Sequence, residues 1–254
     1  MSWDQVVFWK YLLSPAFAHA AWGSIWVAVV AQVIGVLVGL AAAMMRQAGS
    51  RIMRAAAGFY IWLWRGTPLL VQLLILYLGL PQIGIRFSVE QAGLLGLGLN
   101  AGAYMAEIVR SGLLSVDSGQ AEAARSLGMS GRQSMRLVVL PQALRVILPP
   151  LGNEFNGMLR TTSLLSVISF EELLRVTTVA ISTTFRPVEL YSAAALYYLA
   201  MTTAWTCVQW LLERRLSPRS RASSRPGKPL GPFSGLFRRA VLRATFALSV
   251  LTTA

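Results

Sequence analysis

The sequence predicts an all-α integral membrane protein with about five transmembrane helices and a short helix in one polar connection between them. Hydrophobic residues make up 55% of the 254-residue chain, and charged residues make up only 13%. A soluble domain of ordinary composition carries about 25% charged residues. The apolar residues also cluster into long runs, separated by stretches of differing charge. Composition and clustering together therefore indicate a membrane protein.

Five apolar runs are long enough to cross a bilayer as helices. They lie at about 22–45, 55–80, 89–113, 138–162 and 189–212. At about 1.5 Å per residue, each run can cover the ~30 Å of bilayer hydrocarbon. The fourth run is expected to break at Pro149-Pro150, because proline lacks the backbone donor that a helix interior needs.

The second run contains the polar sequence Arg65-Gly66-Thr67-Pro68, which predicts a break inside a span. Pro68 frees the backbone carbonyl one turn before it, and Thr67 is expected to cap that carbonyl. Two interpretations are open: a hinge in a translocation path, or a fixed kink that packing requires.

Charge in the connections predicts the topology. The arginine-rich connections lie at 46–54, at 110–136 and from 214 onward, and they alternate so as to share one side. The other connections carry glutamates and few basic residues. The positive-inside rule then places the N-terminus outside the cell and the C-terminus in the cytosol.

Three regions are expected along the chain. Residues 1–19 form an extracytoplasmic or interfacial segment rich in aromatic residues. Residues 20–215 form the transmembrane domain. Residues 216–254 form a basic cytosolic tail whose Ser, Pro, Arg and Gly content is typical of disorder.

The net charge of +13 does not indicate a nucleic-acid partner. Residues 1–213 carry 14 basic and 10 acidic residues, whereas residues 214–254 carry 9 basic residues and no acidic one. A basic tail beside a membrane domain is typical of topology signals and of contact with anionic membrane lipid. We therefore expect membrane lipid, and no nucleic acid, among the partners.

Residue counts exclude several kinds of chemistry. The chain has one cysteine, Cys207, and one histidine, His19, so neither an intrachain disulfide nor a metal cluster is expected. Its two lysines are Lys10 and Lys228, and Gly227-Lys228 is followed by Pro229 rather than by the Ser or Thr of a P-loop. No catalytic constellation stands out. We expect a chain that is not an enzyme, binds no cofactor and takes its energy from a partner.

The longest polar interruption before the tail lies between the third and fourth runs. Good helix formers predict a short helix at 120–127, and Gly128 ends it because glycine tolerates left-handed backbone geometry. Ala123 and Ala124 allow close packing, and Glu122 offers a carboxylate near the helix N-terminus. Taken alone, this segment could also be an ordinary amphipathic connecting helix.

The spacing of this stretch carries a resemblance to a known family. Glu122-Ala123-Ala124 is followed after three residues by Gly128, and after nine more by Val138, Leu140 and Pro141. The pattern resembles the EAA loop of ABC-importer membrane subunits, with Val138 at the usual Ile position. Leu140-Pro141 is expected to open the fourth helix, where proline fits the first turn.

The resemblance implies an ABC importer type I permease fold, in which the short helix is a coupling helix. Such a helix docks into a separate ATPase subunit, and ATP and Mg are bound there. The other implied partners are an extracytoplasmic solute-binding protein and a second permease, which makes a homodimer or a heterodimer with a related chain.

Further stretches resemble the permeases of polar amino-acid importers, the group that handles His, Glu, Gln, Arg or opines. They lie at 65–72, 99–110, 140–143 and 149–155, and the resemblance covers roughly 20–215. It implies import of a polar amino acid or an analogue across the cytoplasmic (inner) membrane. The pattern departs at 156–158 and at Arg160-Thr161-Thr162-Ser163, where Lys-Asp-Thr-Ser is usual.

Polar residues inside the predicted spans are candidates for the substrate path, because such groups are costly in lipid. Asn100 and Tyr104 share one face of the third run with Glu107. Glu107 lies nearer the cytosolic end and is expected to pair with an arginine such as Arg110 or Arg125.

The fourth run carries Glu154 and Arg160, which lie about 120° apart around a helix and so cannot easily pair with each other. A zwitterionic amino acid asks for one acid and one base, which these two residues could provide. The alternative is that all four candidates only make hydrogen bonds between helices.

Two other function classes remain open from the residues alone. A secondary transporter or channel is disfavoured, since five spans contain no second repeat. A non-transporting membrane scaffold is the other alternative.

Overall fold

The computed structural model describes residues 3–216, and every regular element in that range is a helix. The helices are α1 (Gln5–Leu12), α2 (Pro15–Gln47), α3 (Arg51–Gly66), α4 (Leu69–Leu74), α5 (Val89–Leu114), α6 (Ser118–Ser126), α7 (Gly131–Ser134), α8 (Leu140–Thr161), α9 (Leu173–Thr184) and α10 (Pro187–Leu216). A π turn at Ile75–Gly79 and a 3-10 turn at Leu80–Ile83 continue α4. A π turn at Met135–Val139 joins α7 to α8, and a 3-10 turn at Thr162–Ile168 follows α8.

Within residues 3–216, three helices are long and apolar enough to cross a membrane: Pro15–Gln47, Val89–Leu114 and Gly131–Ile168. A bent pair, Arg51–Gly66 with Leu69–Ile83, could act as a fourth span or as a re-entrant loop. The last helix, α10, has the required length with 30 residues, but Tyr, Thr and Trp residues make it less apolar. All five predicted runs are therefore helical, and three of them meet both requirements as continuous helices.

The second predicted span is not one continuous helix. The helix axes before and after Thr67-Pro68 differ by 105°. A proline kink alone bends a helix far less sharply. Thr67 and Pro68 both have extended backbone geometry, so the chain leaves one helix completely before it enters the next.

The fourth predicted span differs in two ways. A continuous helical stretch begins at Gly131, earlier than predicted, and α8 opens within it at Leu140-Pro141, as expected. It also continues through Pro149-Pro150. Side chains of α10 serve this proline segment: Gln209 Nε2 donates to the Pro149 carbonyl at 3.2 Å, and Trp205 Nε1 donates to the Gly152 carbonyl at 2.8 Å. These bonds tie α10 to the proline segment. The carbonyls that Pro149 and Pro150 leave without a helical donor are those of Arg145 and Val146, one turn earlier.

Small residues form the central seam between α2 and α5. A Cβ atom built on Gly35 would lie 2.7 Å from the Ala101 Cβ, and one built on Gly98 would lie 2.6 Å from Ile34 Cγ2. The two helices therefore approach closely enough for their backbones to pack against each other, as small-residue seams permit in membranes. The remaining spans pack around this pair, and the main core lies between α2, α5 and α8.

Candidate functional site

The polar segment after α5 folds into a short, well-capped helix, α6. The Asp117 side chain caps its N-terminus and accepts a hydrogen bond from the Gly119 N–H at 2.7 Å. At the other end, Gly128 has φ +84°, the Gly128 N–H donates to the Arg125 carbonyl at 2.9 Å, and the Met129 N–H donates to the Ala124 carbonyl at 3.1 Å. This pair of bonds is the Schellman motif, which a glycine in left-handed geometry favours. The expected role of Gly128 as the helix stop is confirmed.

The helix begins two residues earlier than predicted, which changes the position of Glu122. Glu122 is the fifth residue of α6 and lies in mid-helix, so its carboxylate is not near the N-terminus as the sequence suggested. The acidic group at that end is Asp117, which sequence reasoning missed. Aspartate followed by Ser-Gly was the available signal, since Asp is among the preferred N-cap residues.

One side of α6 packs on the protein and the other is exposed. Ala124 is only 4% exposed and faces inward, where α6 packs against α7 and the π turn before α8. Gln142 Nε2 on α8 contacts Gln120 Oε1 at 3.4 Å and ties the helix to the span. Glu122 and Ala123 are exposed, and Leu127 is 81% exposed. Leu140 and Pro141 are also exposed, on the first turn of α8.

The break in the second span is held by side-chain amides. The carbonyl that Pro68 leaves without a helical donor is that of Trp64, which accepts from Gln72 Nε2 at 2.9 Å and from Asn100 Nδ2 at 3.2 Å. Asn100 Nδ2 also donates to Gln72 Oε1 at 3.0 Å. The expected cap, Thr67, serves a different carbonyl, since its hydroxyl donates to the Leu63 carbonyl at 2.8 Å. Gln72, which the sequence did not single out, is therefore the main cap.

The four residues at the break itself are exposed in this chain: Arg65, Gly66, Thr67 and Pro68. The guanidinium carbon of Arg65 lies 5.2 Å from the centroid of the Tyr104 ring, within cation–π distance. The face of α5 that the spacing predicted therefore lies against the break. Asn100 is hydrogen-bonded to the break, and the Tyr104 ring contacts Arg65.

Glu107 joins two helices. Arg110 donates to Glu107 Oε2 from Nε at 3.0 Å and from Nη2 at 2.8 Å, which confirms the expected pairing with Arg110. Arg46 Nη1 on α2 donates to Glu107 Oε1 at 2.8 Å, a second partner that sequence reasoning missed. A carboxylate with two arginines ties the last turn of α2 to α5.

Glu154 and Arg160 are opposite charges on α8 that do not meet. Glu154 is half-buried and Arg160 is exposed. Within the part of the chain that the structure describes, neither side chain makes a hydrogen bond or an ion pair. Arg160 lines an open cavity of about 540 Å³ together with Ser163, Tyr198 and Thr202. The arrangement leaves an acid and a base available to a ligand.

A buried carboxylate that the sequence did not single out lies near this cavity. Glu172 is fully buried at the start of α9, where it accepts from the Leu174 N–H at 2.9 Å, from the Arg175 N–H at 2.7 Å and from Tyr198 Oη at 2.8 Å. Burial raises the pKa of the Glu172 carboxyl, and these hydrogen bonds oppose that rise. Glu172 therefore acts as an N-cap that also positions the cavity residue Tyr198.

Residues 3–216 contain no group of three or more His, Cys, Asp or Glu side chains that could hold a metal ion. The candidate site therefore consists of three features: the exposed helix α6 between two spans, the break at Thr67-Pro68 that side-chain amides hold, and the charges of Glu154 and Arg160 on α8.

Relatives of this chain include several named permeases. The arginine transport system permease protein ArgU of Corynebacterium glutamicum is 40% identical over 233 residues, which cover 86% of this chain and 73% of ArgU. The glutamine transport system permease protein GlnP of Escherichia coli K12 is 36% identical over 218 residues, covering 85% of this chain and 99% of GlnP. The octopine transport system permease protein OccM of Rhizobium meliloti is 40% identical over 202 residues, covering 76% and 82% respectively.

Solved structures of ABC transporters also match this chain. One described as "Crystal structure of an amino acid ABC transporter with histidines" matches with a TM-score of 0.80 and 42% identity, covering 85% of this chain and all of that chain. The MetNI methionine ABC transporter matches with a TM-score of 0.64 at 15% identity, which concerns the fold alone. The expected type I permease fold is confirmed, as is the resemblance to ABC-importer permeases. The family model for the "binding-protein-dependent transport system inner membrane component" matches residues 35–218, and the chain belongs to that family.

Proposed function

We propose that this chain is the membrane-spanning permease subunit of an ABC importer that brings a polar amino acid or a close analogue into the cell. The observation that carries the proposal is α6. It is a capped helix held between two spans, with Ala124 turned inward and Glu122, Ala123 and Leu127 turned outward. Such a rigid outward face suits docking by a separate motor protein.

In this proposal α6 is the coupling helix. Glu122, Ala123 and the apolar Leu127 contact the ATPase subunit, which binds ATP and Mg and hydrolyses the nucleotide. Ala124 and Gly128 shape the helix and its exit, and Leu140-Pro141 transmits its motion to α8. The arginine-rich connections support a cytosolic position for this face and for the C-terminus, with the N-terminus outside.

The remaining partners follow from the family. A solute-binding protein delivers the cargo from outside, and a second permease, identical or related, completes the path. The amino-acid class of cargo is supported by the relatives, which are named as permeases of arginine, glutamine and octopine transport systems. These names differ among themselves, so the proposal extends to the class and to no single amino acid.

The substrate path is proposed to run past Asn100, Tyr104, Glu154 and Arg160. Support for Glu154 and Arg160 is strongest, because an ammonium and a carboxylate would supply the partners that both charges lack in the described chain. Tyr104 is accessible beside the break, with Arg65 stacked on it. The amide of Asn100 is engaged by the break, so its proposed role is to hold the path in shape.

ATP-driven uptake by a reconstituted complex tests the proposal. The chain would be purified with its cognate ATPase and binding protein, placed in proteoliposomes, and given each of the twenty amino acids and representative opines in labelled form. We expect uptake of at least one of these compounds only with internal ATP and the binding protein. Uptake driven by an ion gradient without the ATPase would contradict the proposal and indicate a secondary transporter.

Replacing Glu154 with glutamine is expected to weaken binding of the imported amino acid in the permease itself. A hydrogen bond to a charged group contributes about 1.5–3 kcal/mol, so the affinity should fall roughly 10- to 100-fold. Calorimetric titration of the purified permease–ATPase complex without the binding protein measures this directly. Glu90→Gln, which removes an exposed carboxylate at the start of α5, is the matched control and should bind as the parent does. Unchanged affinity in Glu154→Gln would remove Glu154 from the path.

A further inference from the structure

The first helix, α1, lies outside the predicted spans and yet is firmly folded. The Asp4 carboxylate caps it by accepting from the Val6 N–H at 3.0 Å and the Val7 N–H at 3.1 Å. Only two residues separate its end from α2, which begins at Pro15 with Ser14 as its own cap. Because α2 crosses the membrane, α1 must lie close to the level at which that span enters the bilayer.

The inner face of α1 is fixed to the protein. Phe8, Tyr11 and Leu12 pack against the core cluster formed by α2, α9 and α10. The Leu12 carbonyl accepts from Tyr197 Oη at 2.8 Å, a contact between residues 185 positions apart.

The N-terminal end of α1 is joined to the start of α10 by charged groups. The Asp4 N–H donates to Glu189 Oε1 at 3.0 Å. Arg186 lies 3.8 Å from the carboxylates of both Asp4 and Glu189. Both acidic groups near α1 are thus turned toward the protein and compensated there.

The outer face of α1 is apolar and uncovered. Val6, Trp9 and Leu13 fall within about 60° of one another around the helix, on the side opposite Phe8 and Tyr11. They are 79%, 55% and 75% exposed. Lys10 lies at the edge of this face, and the face carries no acidic side chain. We call Val6, Trp9, Lys10 and Leu13 the outer face of α1.

We propose that the outer face of α1 lies in the membrane interface and anchors the outer end of α10 to the lipid surface. Three features select lipid as the occupant. Tryptophan and lysine are the side chains that membrane interfaces favour, with an apolar body and a polar end. The position beside the first turn of α2 puts the face at headgroup depth. Its charge, a lysine without a carboxylate, suits phosphate headgroups.

The consequence is mechanical. The links from Asp4 to Glu189 and from Leu12 to Tyr197 join the anchor to the N-terminal half of α10. The outer end of the last helix is therefore held at the membrane surface, and movements of α10 during transport would pivot about that end. The side of the membrane rests on the proposed topology, which makes it the extracytoplasmic one; the contact with lipid does not depend on it.

Spin-label accessibility tests the anchor. The single cysteine, Cys207, would be replaced (Cys207→Ser), and a label would be introduced in the full chain at Val6→Cys, at Val33→Cys on the exposed middle of α2, or at Arg132→Cys in the polar connection. The protein would be studied in nanodiscs of phosphatidylethanolamine and phosphatidylglycerol, with oxygen and a water-soluble nickel chelate as relaxing agents. These measurements need no transport activity, so their outcome is independent of the proposed function.

For the Val6 label, we expect collisions with oxygen to exceed those with nickel, giving a depth between those of the other two labels. The Val33 label should show the largest oxygen-to-nickel ratio and the Arg132 label the smallest. A Val6 ratio equal to that of Arg132 would place α1 in water and overturn the proposal. Shielding of the Val6 label from both agents would also overturn it, because a protein surface would then cover the face.

Discussion

Replacing Gly39 with leucine will leave little folded protein in the membrane. A Cβ atom at Gly39 would collide with the Met105 Cβ, and it would lie 2.9 Å from the Gly102 carbonyl oxygen and 3.1 Å from the Ala106 nitrogen. These are backbone atoms or atoms next to the backbone, so no side chain can rotate away. Overpacking of a well-packed core typically costs about 1–3 kcal/mol, and forcing two backbones apart should exceed that range.

The loss should be measurable as the fraction of protein that elutes as a single folded species after mild detergent extraction, and as the midpoint of its thermal unfolding. The matched control is Gly58→Leu, since a Cβ atom at Gly58 on α3 has nothing within 4 Å. That variant should keep the parent yield and can gain about 1 kcal/mol of helix propensity. Equal yields for the two variants would contradict the view that the α2–α5 seam organises the bundle.

The ends of some helices can be predicted from the sequence because neighbouring residues determine them. The bounds of α5 agree with the predicted third run to within one residue, because Ser88 caps its N-terminus in a capping box and apolar or small residues predominate along the run. Gly128 likewise ends α6 through a motif written in adjacent residues.

The differences arise where a distant residue supplies what the local sequence lacks. The Trp64 carbonyl is served by Gln72 and by Asn100 from another helix, a pairing that no spacing rule reveals.

The same distinction applies to the candidate site. That Glu154 and Arg160 cannot pair with each other follows from helical geometry, and that Glu107 pairs with Arg110 follows from the three-residue spacing. The second partner of Glu107, Arg46, becomes a neighbour only because Gly35 and Gly39 let α2 approach α5 closely. Glu172 is missed for a similar reason: a glutamate pair suggests an exposed loop, and the packing of α9 against both α2 and α10 buries one of the two.

Reversing the charge of Glu122 (Glu122→Lys) is expected to abolish uptake while leaving the permease folded. Glu122 is exposed and its side chain makes no contact that the bundle needs, so the stability should change by no more than about 0.5 kcal/mol. At a docking surface, juxtaposing like charges costs several kcal/mol. A penalty of about 2 kcal/mol would already weaken the complex with the ATPase by roughly 30-fold.

Two measurements separate docking from other defects: the amount of ATPase that co-purifies with the tagged permease, and uptake in proteoliposomes at equal permease content. Glu122→Gln keeps the shape and removes only the charge, so it should fall between the parent and Glu122→Lys in both. Glu90→Lys makes the same reversal at an exposed site at the start of α5, at the opposite end of that helix from α6, and should leave ATPase recovery unchanged. If Glu122→Lys recovered as much ATPase as the parent and transported as fast, the motor would have to dock elsewhere, and the outward face of α6 would be only the solvated side of a connecting helix.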